Sequence, residues 1–462
     1  MSSLLLKNID HIYTFNNQED HLEHQDLLIV NGVITAIGHN LPSTADTKVI
    51  ECEGLVALPG FVNTHHHLYQ TLFRGLKEVQ EKPLFPWLIG LYEFWQHLTP
   101  TAVYHGAMVG FSELLRTGCT LTADHHYVFP NGQPSTLIDE QIQAAKDIGM
   151  RFHATRGSMS LGRDHGGLPP MTVVQEESII LEDSLRLIQT YHDPSDYAMT
   201  RIALAPCSPF SVTADLMKNT ALLAREHKVM MHTHLAETLD EEAFCLEKYG
   251  RRPFELMEDL GWVGKDVWYA HGIFLDDHEI HRLNGSGIAH CPSSNMKLGS
   301  GIAPVAKMMA RGIRVGIGTD GAASNNNLNA LEEANLAALI QKGTTGDPLI
   351  LGPRDLLELA CRNGALSQGR ADCGSIALGN RADVVVYDLE APHLQPVYDV
   401  LSNLLFSAGA GDIVLTMVDG RVLYRNGEFT TIDIGRVMAE TRRIRDEKLA
   451  RLAGAAANKR GT

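Results

Sequence analysis

Pro59-Gly60-Phe61-Val62-Asn63-Thr64-His65-His66-His67 is a short apolar run that ends in three histidines. Residues two apart on an extended chain point to one side, so His65 and His67 can present two imidazoles to one ion while His66 faces away. Alone, the pair fits equally a polar strand end in a chain with 22 histidines. Its weight comes from three later positions, His234 in His234-Leu235-Ala236-Glu237, then His271, then Asp320, each closing another short apolar run. Three imidazoles and a carboxylate suit one divalent ion, and Glu237 and His271 stand where hydrolysis needs an acid and a base.

The same runs set the fold. Candidate strands end at His67, Asp124, Arg156, Pro206, His234, His271, Cys291 and Asp320, and longer helical patterns separate them, as in Thr213 to His227 and Leu328 to Gln341. Strand and helix alternating in this way predict an α/β fold, a (β/α)8 TIM barrel with function at the carboxyl ends of its strands. Both chain ends look different. Leu27 to Gly38 carries Asn31-Gly32 between apolar runs, and Leu415 to Tyr424 carries Asp419-Gly420, each a tight hairpin signal. The expected layout is therefore a composite β-sandwich from residues 1–58 and 375–432, a barrel at 59–374, and a C-terminal helix and tail at 433–462. Within that tail Ile434 to Leu452 reads as helix and Ala453 to Thr462 as a frayed end.

Composition narrows the partners. With 39 Lys plus Arg against 55 Asp plus Glu among 462 residues, the net charge of −16 disfavours nucleic acid and anionic membranes as partners. The seven cysteines are scattered, odd in number and never spaced CxxC, which points to reduced thiols and a cytoplasmic setting. Met1 to Asp10 lacks the basic start and apolar core of a secretory signal, and no apolar run reaches bilayer length.

The candidate chemistry is specific to single residues. His65, His67, His234 and Asp320 are the candidate metal ligands, while His232 shares His234's face and is open as a neighbour or an alternative ligand. Glu237, three residues beyond His234, can move protons between water and substrate without ligating; the competing reading is a helix N-terminal acid. His271 can polarise the attacking water, against the reading of a core histidine. Gly316-Ile317-Gly318-Thr319-Asp320-Gly321 matches a dinucleotide fingerprint but runs into Ser324-Asn325-Asn326-Asn327 instead of a helix, so its glycines are assigned to close packing. His278-Glu279-Ile280-His281 is one residue short of a zincin helix and is expected at the surface.

These residues in this order resemble the amidohydrolase superfamily, in its mononuclear branch of guanine, cytosine and adenosine-derivative deaminases and triazine hydrolases. The resemblance spans nearly the whole chain, including Gly374-Ser375-Ile376-Ala377-Leu378-Gly379-Asn380-Arg381-Ala382-Asp383. It implies His65, His67, His234 and Asp320 as ligands, Glu237 as proton shuttle, and catalytic parts for His271 and Asp320. Two-metal relatives place a carboxylated lysine at the end of the fourth strand, where this chain has Pro206-Cys207; the implied cofactor is one divalent ion, zinc or else iron.

Narrower motifs are Thr64-His65-His66-His67-Leu68-Tyr69-Gln70, Pro83-Leu84-Phe85-Pro86-Trp87-Leu88, Ala123-Asp124-His125-His126-Tyr127, Thr155-Arg156-Gly157-Ser158-Met159-Ser160 and Ala205-Pro206-Cys207-Ser208-Pro209-Phe210. They are similar to those of the bacterial 8-oxoguanine deaminases. The expected reaction is hydrolytic deamination of 8-oxoguanine to urate and ammonia by metal-activated water. Isocytosine or pterin deamination and s-triazine hydrolysis are the alternatives, and a silent scaffold is the non-enzymatic one. A flat lactam needs directional donors and an apolar slot, for which Gln70, Trp87, Arg156 and Phe210 are the candidates, Arg156 foremost. A small nucleobase-like substrate and a homo-oligomer complete the expectation.

Overall fold

The computed structural model describes residues 3–16, 18 and 20–460. Its first five strands, β1 (Ser3–Tyr13), β2 (His21–Val30), β3 (Val33–Gly38), β4 (Thr47–Glu51) and β5 (Leu55–Pro59), belong to a sheet separate from the barrel. Eight further strands come next: β6 (Phe61–Asn63), β7 (Cys119–Ala123), β8 (Arg151–Ser158), β9 (Thr200–Pro206), β10 (Met230–Leu235), β11 (Val267–His271), β12 (Gly287–His290) and β13 (Val315–Ile317). They pair in parallel, in chain order. Thr64 N–H donates to Ile317 O at 2.9 Å and Asp320 N–H to His65 O at 2.9 Å, which joins the last strand to the first. Near-continuous burial along these strands follows from helices outside and packed side chains inside.

The last four strands, β14 (Val384–Asp388), β15 (Ile413–Val418), β16 (Arg421–Arg425) and β17 (Glu428–Phe429), extend the first sheet, because β14 pairs antiparallel with β5. Both chain ends thus share one sheet and one core, with Leu6, Ile9, Ile12, Leu27 and Ile34 packed in the same cluster as Val384, Val386, Leu415 and Met417. The sheet folds back on itself where Ile34 N–H donates to Asn380 O at 2.8 Å and Gly379 N–H to Ile34 O at 2.9 Å. Asn31-Gly32 and Asp419-Gly420 are hairpin tips with φ of 51° and 84°, and 53° and 73°, as their sequences require.

Some boundaries differ from the sequence reading. The strands expected to end at His67 and Asp320 stop at Asn63 and Ile317, because the chain leaves the ladder to turn its donors over the barrel mouth. The helix expected from Leu328 starts at Ala330, after the cap from Asn329 Oδ1 to Leu331 N–H at 3.1 Å, and runs to Thr345 before left-handed Gly346. The C-terminal helix spans Ile434–Arg460, past Leu452, with Val437 and Ile444 buried. Of the end expected to fray, Gly461 and Thr462 lie outside the described residues. No helix among the described residues is long and apolar enough to cross a membrane.

Candidate active site and metal centre

His65, His67, His234 and Asp320 converge at the carboxyl mouth of the barrel, all buried. Backbone carbonyls, which only accept, fix two of the imidazoles. His67 Nδ1 lies 2.7 Å from His125 O and His234 Nδ1 lies 2.6 Å from Cys207 O, so both carry the proton at Nδ1 and turn a bare Nε2 inward. His232 Nδ1 donates to Trp268 O at 2.8 Å, leaving its Nε2 to accept from His65 Nδ1 at 2.7 Å. His65 Nε2 is thereby bare as well, and it has no hydrogen-bond partner. In this arrangement His232 serves as the hydrogen-bond partner that orients His65.

Three separations within this set match a coordination shell. His67 Nε2 stands 3.3 Å from His234 Nε2, and Asp320 Oδ1 stands 3.2 Å from His67 Nε2 and 3.5 Å from His65 Nε2. Bonds of roughly 2.0–2.1 Å in a tetrahedron put donors about 3.3–3.4 Å apart. Burial lowers the His67 pKa, but the hydrogen bond and charge of Asp320 outweigh it and raise it, so a divalent ion and a proton compete for that imidazole. Burial drives the His65 and His234 pKa values well below the usual imidazole value. Burial pushes the Asp320 carboxyl up, but His65 and His67 outweigh it and hold it well below the usual range. The residues therefore fit one divalent ion.

Asp320 is placed by strain and by hydroxyls. It sits at φ 56°, accepts Ser294 Oγ–H on Oδ2 at 2.6 Å, and takes Gly321 N–H on Oδ1 at 2.7 Å. Two glycines of the fingerprint-like run are explained by crowding. A Cβ on Gly318 would lie 2.8 Å from Cys291 Sγ, and one on Gly321 would lie 1.9 Å from Gln70 Oε1.

Glu237 and His271 face each other beside this cluster, with Oε2 and Nε2 3.6 Å apart. His271, at φ 72°, is held through Nδ1 by Asn295 Oδ1 at 2.8 Å, and its Nε2 has no partner. Burial lifts the Glu237 carboxyl to about 8, with Asp320 adding to the rise and His67 opposing it. The loop carrying Glu237 is anchored by Glu241, whose carboxylate accepts Ala236 N–H at 2.9 Å and Glu237 N–H at 2.8 Å, with Ala236 at φ 50°.

A cavity opens onto these groups. Gln70, Trp87 and Phe210 line it, as their motifs suggested, joined by Leu84, Leu88, Tyr127, Cys207 and Leu298. Arg156 does not line it, and the expectation that it meets the substrate is corrected. It is 1% exposed, bonded from Nε to Asp183 Oδ2 at 2.6 Å and from Nη2 to Gln175 Oε1 at 3.0 Å, with its guanidinium 3.9 Å from the Phe129 ring centroid. Arg156 shares strand parity with Phe152, which packs outward on Phe111, so its side chain leaves the barrel toward Asp183 in the outer helix Glu177–Tyr191. Cys207 Sγ borders the cavity 3.9 Å from His234 Nδ1, and burial keeps it a thiol, with its pKa raised to about 12. His278 and His281 are exposed, as expected.

Sequence reasoning passed over Tyr127, Leu84, Leu88, Asn295, Ser294 and Glu241. Tyr127, Leu84 and Leu88 stood inside quoted motifs without a role. Glu241, four residues after Glu237, carried a helix-start signal, since it lies three after Thr238, whose Oγ1 accepts the Glu241 N–H at 3.3 Å.

Comparison with known proteins agrees with this geometry. The model of the amidohydrolase family matches residues 56–423. An 8-oxoguanine deaminase of Pseudomonas aeruginosa is 46% identical over 389 residues, 84% of this chain and 86% of that protein. A hydroxydechloroatrazine ethylaminohydrolase of Pseudomonas sp. is 34% identical, covering 88% of each. Among solved structures, the zinc complex of an atrazine chlorohydrolase from Arthrobacter aurescens TC1 superposes with a TM-score of 0.92 at 32% identity, covering 96% of this chain and 100% of that one. An adenosine deaminase from Xanthomonas campestris with bound zinc gives 0.87 at 27% identity, covering 97% and 99%.

Proposed function

The chain belongs to the amidohydrolase family, and from that premise we propose that it deaminates an amino-substituted oxopurine hydrolytically, 8-oxoguanine to urate and ammonia. The 46% identity to an 8-oxoguanine deaminase over most of both chains carries the choice of substrate. In this reading His65, His67, His234 and Asp320 hold one divalent ion, zinc in the first instance and iron in the second. The ion, when bound, supplies Lewis-acid activation of water.

The chain's own groups supply the rest. His271 Nε2, aimed by Asn295, polarises the attacking oxygen as it approaches the amino-bearing carbon. Glu237 delivers a proton to the adjacent ring nitrogen, which offsets the negative charge that attack places there. Asp320 accepts one proton from the water and returns it to the departing amine, and the remaining hydroxyl proton passes to Glu237 as the carbonyl forms, so that one water in gives one carbonyl and one ammonia out and both carboxyls are restored. Gln70 offers an amide for the edge of a lactam, and Trp87 and Phe210 wall a flat slot. The substrate is thus a small molecule, and we read the protein as cytoplasmic, with no nucleic-acid or membrane partner, and as a homo-oligomer.

The test is ammonia release by zinc-loaded protein from 8-oxoguanine, guanine, isocytosine, isoxanthopterin and atrazine. Turnover fastest on 8-oxoguanine supports the reading. Turnover fastest on isocytosine or isoxanthopterin replaces the substrate, release from none of the ring amines sinks the deaminase claim, and two ions in the buried centre would refute single-ion binding there.

A further inference from the structure

Outside the barrel, a second group of metal-binding side chains lies on the solvent face of the terminal sheet. We propose that His11, His21 and Glu23 form a site for a borderline divalent transition ion, such as Zn²⁺ or Ni²⁺, that ties β1 to β2. This inference is independent of the substrate reading above.

Strand register builds the cluster. His11 pairs with Glu23 and Tyr13 with His21, so residues on alternate positions of two neighbouring strands share one face. The opposite face carries buried Ile12, so the two strands cannot turn this face inward without exposing core. His11 Nδ1 and His21 Nε2 are 3.1 Å apart, and Glu23 Oε1 lies 3.9 Å from the first and 4.0 Å from the second. Donors around an ion with bonds of roughly 2.0–2.2 Å are separated by about 3–3.5 Å. The imidazoles already stand at that spacing. Glu23, the most exposed of the three at 60% of its side chain, has to move by less than an ångström or so to complete it.

Packing favours the same use. The Tyr13 ring stacks on His21 with centroids 4.5 Å apart and planes 9° apart, and His21 in turn lies against His11 with centroids 5.2 Å apart and planes 27° apart, so His21 is held between its two neighbours. Two imidazoles and one carboxylate select Zn²⁺, Ni²⁺, Co²⁺ or Cu²⁺ over Mg²⁺ or Ca²⁺. An ion there would bridge the two strands on either side of the connection between Tyr13 and His21.

Tag-free protein with its buried centre loaded, desalted and titrated calorimetrically with Zn²⁺ and with Ni²⁺, provides the measurement. The expected result is one further equivalent bound, displaced by chelator while the buried ion stays. His21→Ala and His11→Ala should weaken it beyond the ~10–100-fold lost when a ligand's supporting partner is removed, and Glu23→Gln should weaken it less. Wild-type crystals soaked in Ni²⁺ should show an anomalous peak between the three side chains, a readout that needs no variant. No additional equivalent, uptake unchanged in both histidine variants, or no peak at this position would each overturn the proposal.

Discussion

Glu237→Gln isolates proton transfer from everything else the site does. The side chain is buried, and its carboxylate stands 3.6 Å from His271 Nε2, too far to be a ground-state hydrogen bond. Its backbone N–H is held by Glu241 at 2.8 Å, so the loop survives the substitution. An amide of the same shape therefore removes only the exchangeable proton. A positioned general acid or base contributes about 10²–10⁴-fold, equivalent to about 3–5 kcal/mol of barrier. We expect kcat to fall by that factor, KM to change little, and metal content to match wild type, because Glu237 is not among the converging donors. Steady-state ammonia release with metal analysis of the same samples measures all three. A variant within about threefold of wild-type kcat, or one that loses its metal, refutes the assignment.

Other parts of the structure give distinct readouts. Glu241→Gln leaves only one acceptor for the N–H groups of Ala236 and Glu237, and misplacing Glu237 should lower kcat by about 10–100-fold with metal retained; an unchanged kcat would show that the loop holds its shape alone. Asp383→Asn strips the buried Arg151 of a two-point partner, bonded at 2.8 and 3.0 Å, with Asp419 at 3.6 Å as partial compensation. Its cost should fall at the low end of ~3–5 kcal/mol, which lowers the thermal midpoint by roughly 3 °C at about 2.1 cal/mol/K per residue; an unmoved midpoint would refute the burial argument. Burial raises the Asp372 carboxyl, but Arg370 and Tyr197 N–H outweigh this and hold it at about 2. The folded-state pKa is depressed, so its stabilisation is present above the unfolded-state pKa and is lost as pH falls toward 2. Asp372→Asn should accordingly flatten the acid limb of a stability–pH curve, and an acid limb identical to wild type would remove Asp372 from it.

The amino-acid sequence by itself determined which side chains could meet at a strand end. Two-residue parity put His65 and His67 on one side of the chain, and the order of apolar runs put His234, His271 and Asp320 at the fifth, sixth and eighth barrel strands. Asn31-Gly32 and Asp419-Gly420 announced their hairpins for a local reason, since their positive φ angles are a property of the residues themselves. The tertiary structure decided what each group is bonded to. His232 became the acceptor for His65, 167 residues away, only once the barrel closed, and the same closure bared the inward nitrogens of His67 and His234 through carbonyls of distant loops. Arg156 stood in a motif that suggested a substrate donor, yet Asp183 and Gln175 claim it, because a buried guanidinium must be paired wherever the fold places a carboxylate. Position along a strand is written in local periodicity, whereas protonation, orientation and pairing depend on which backbone and side-chain groups the closed barrel brings within hydrogen-bonding distance.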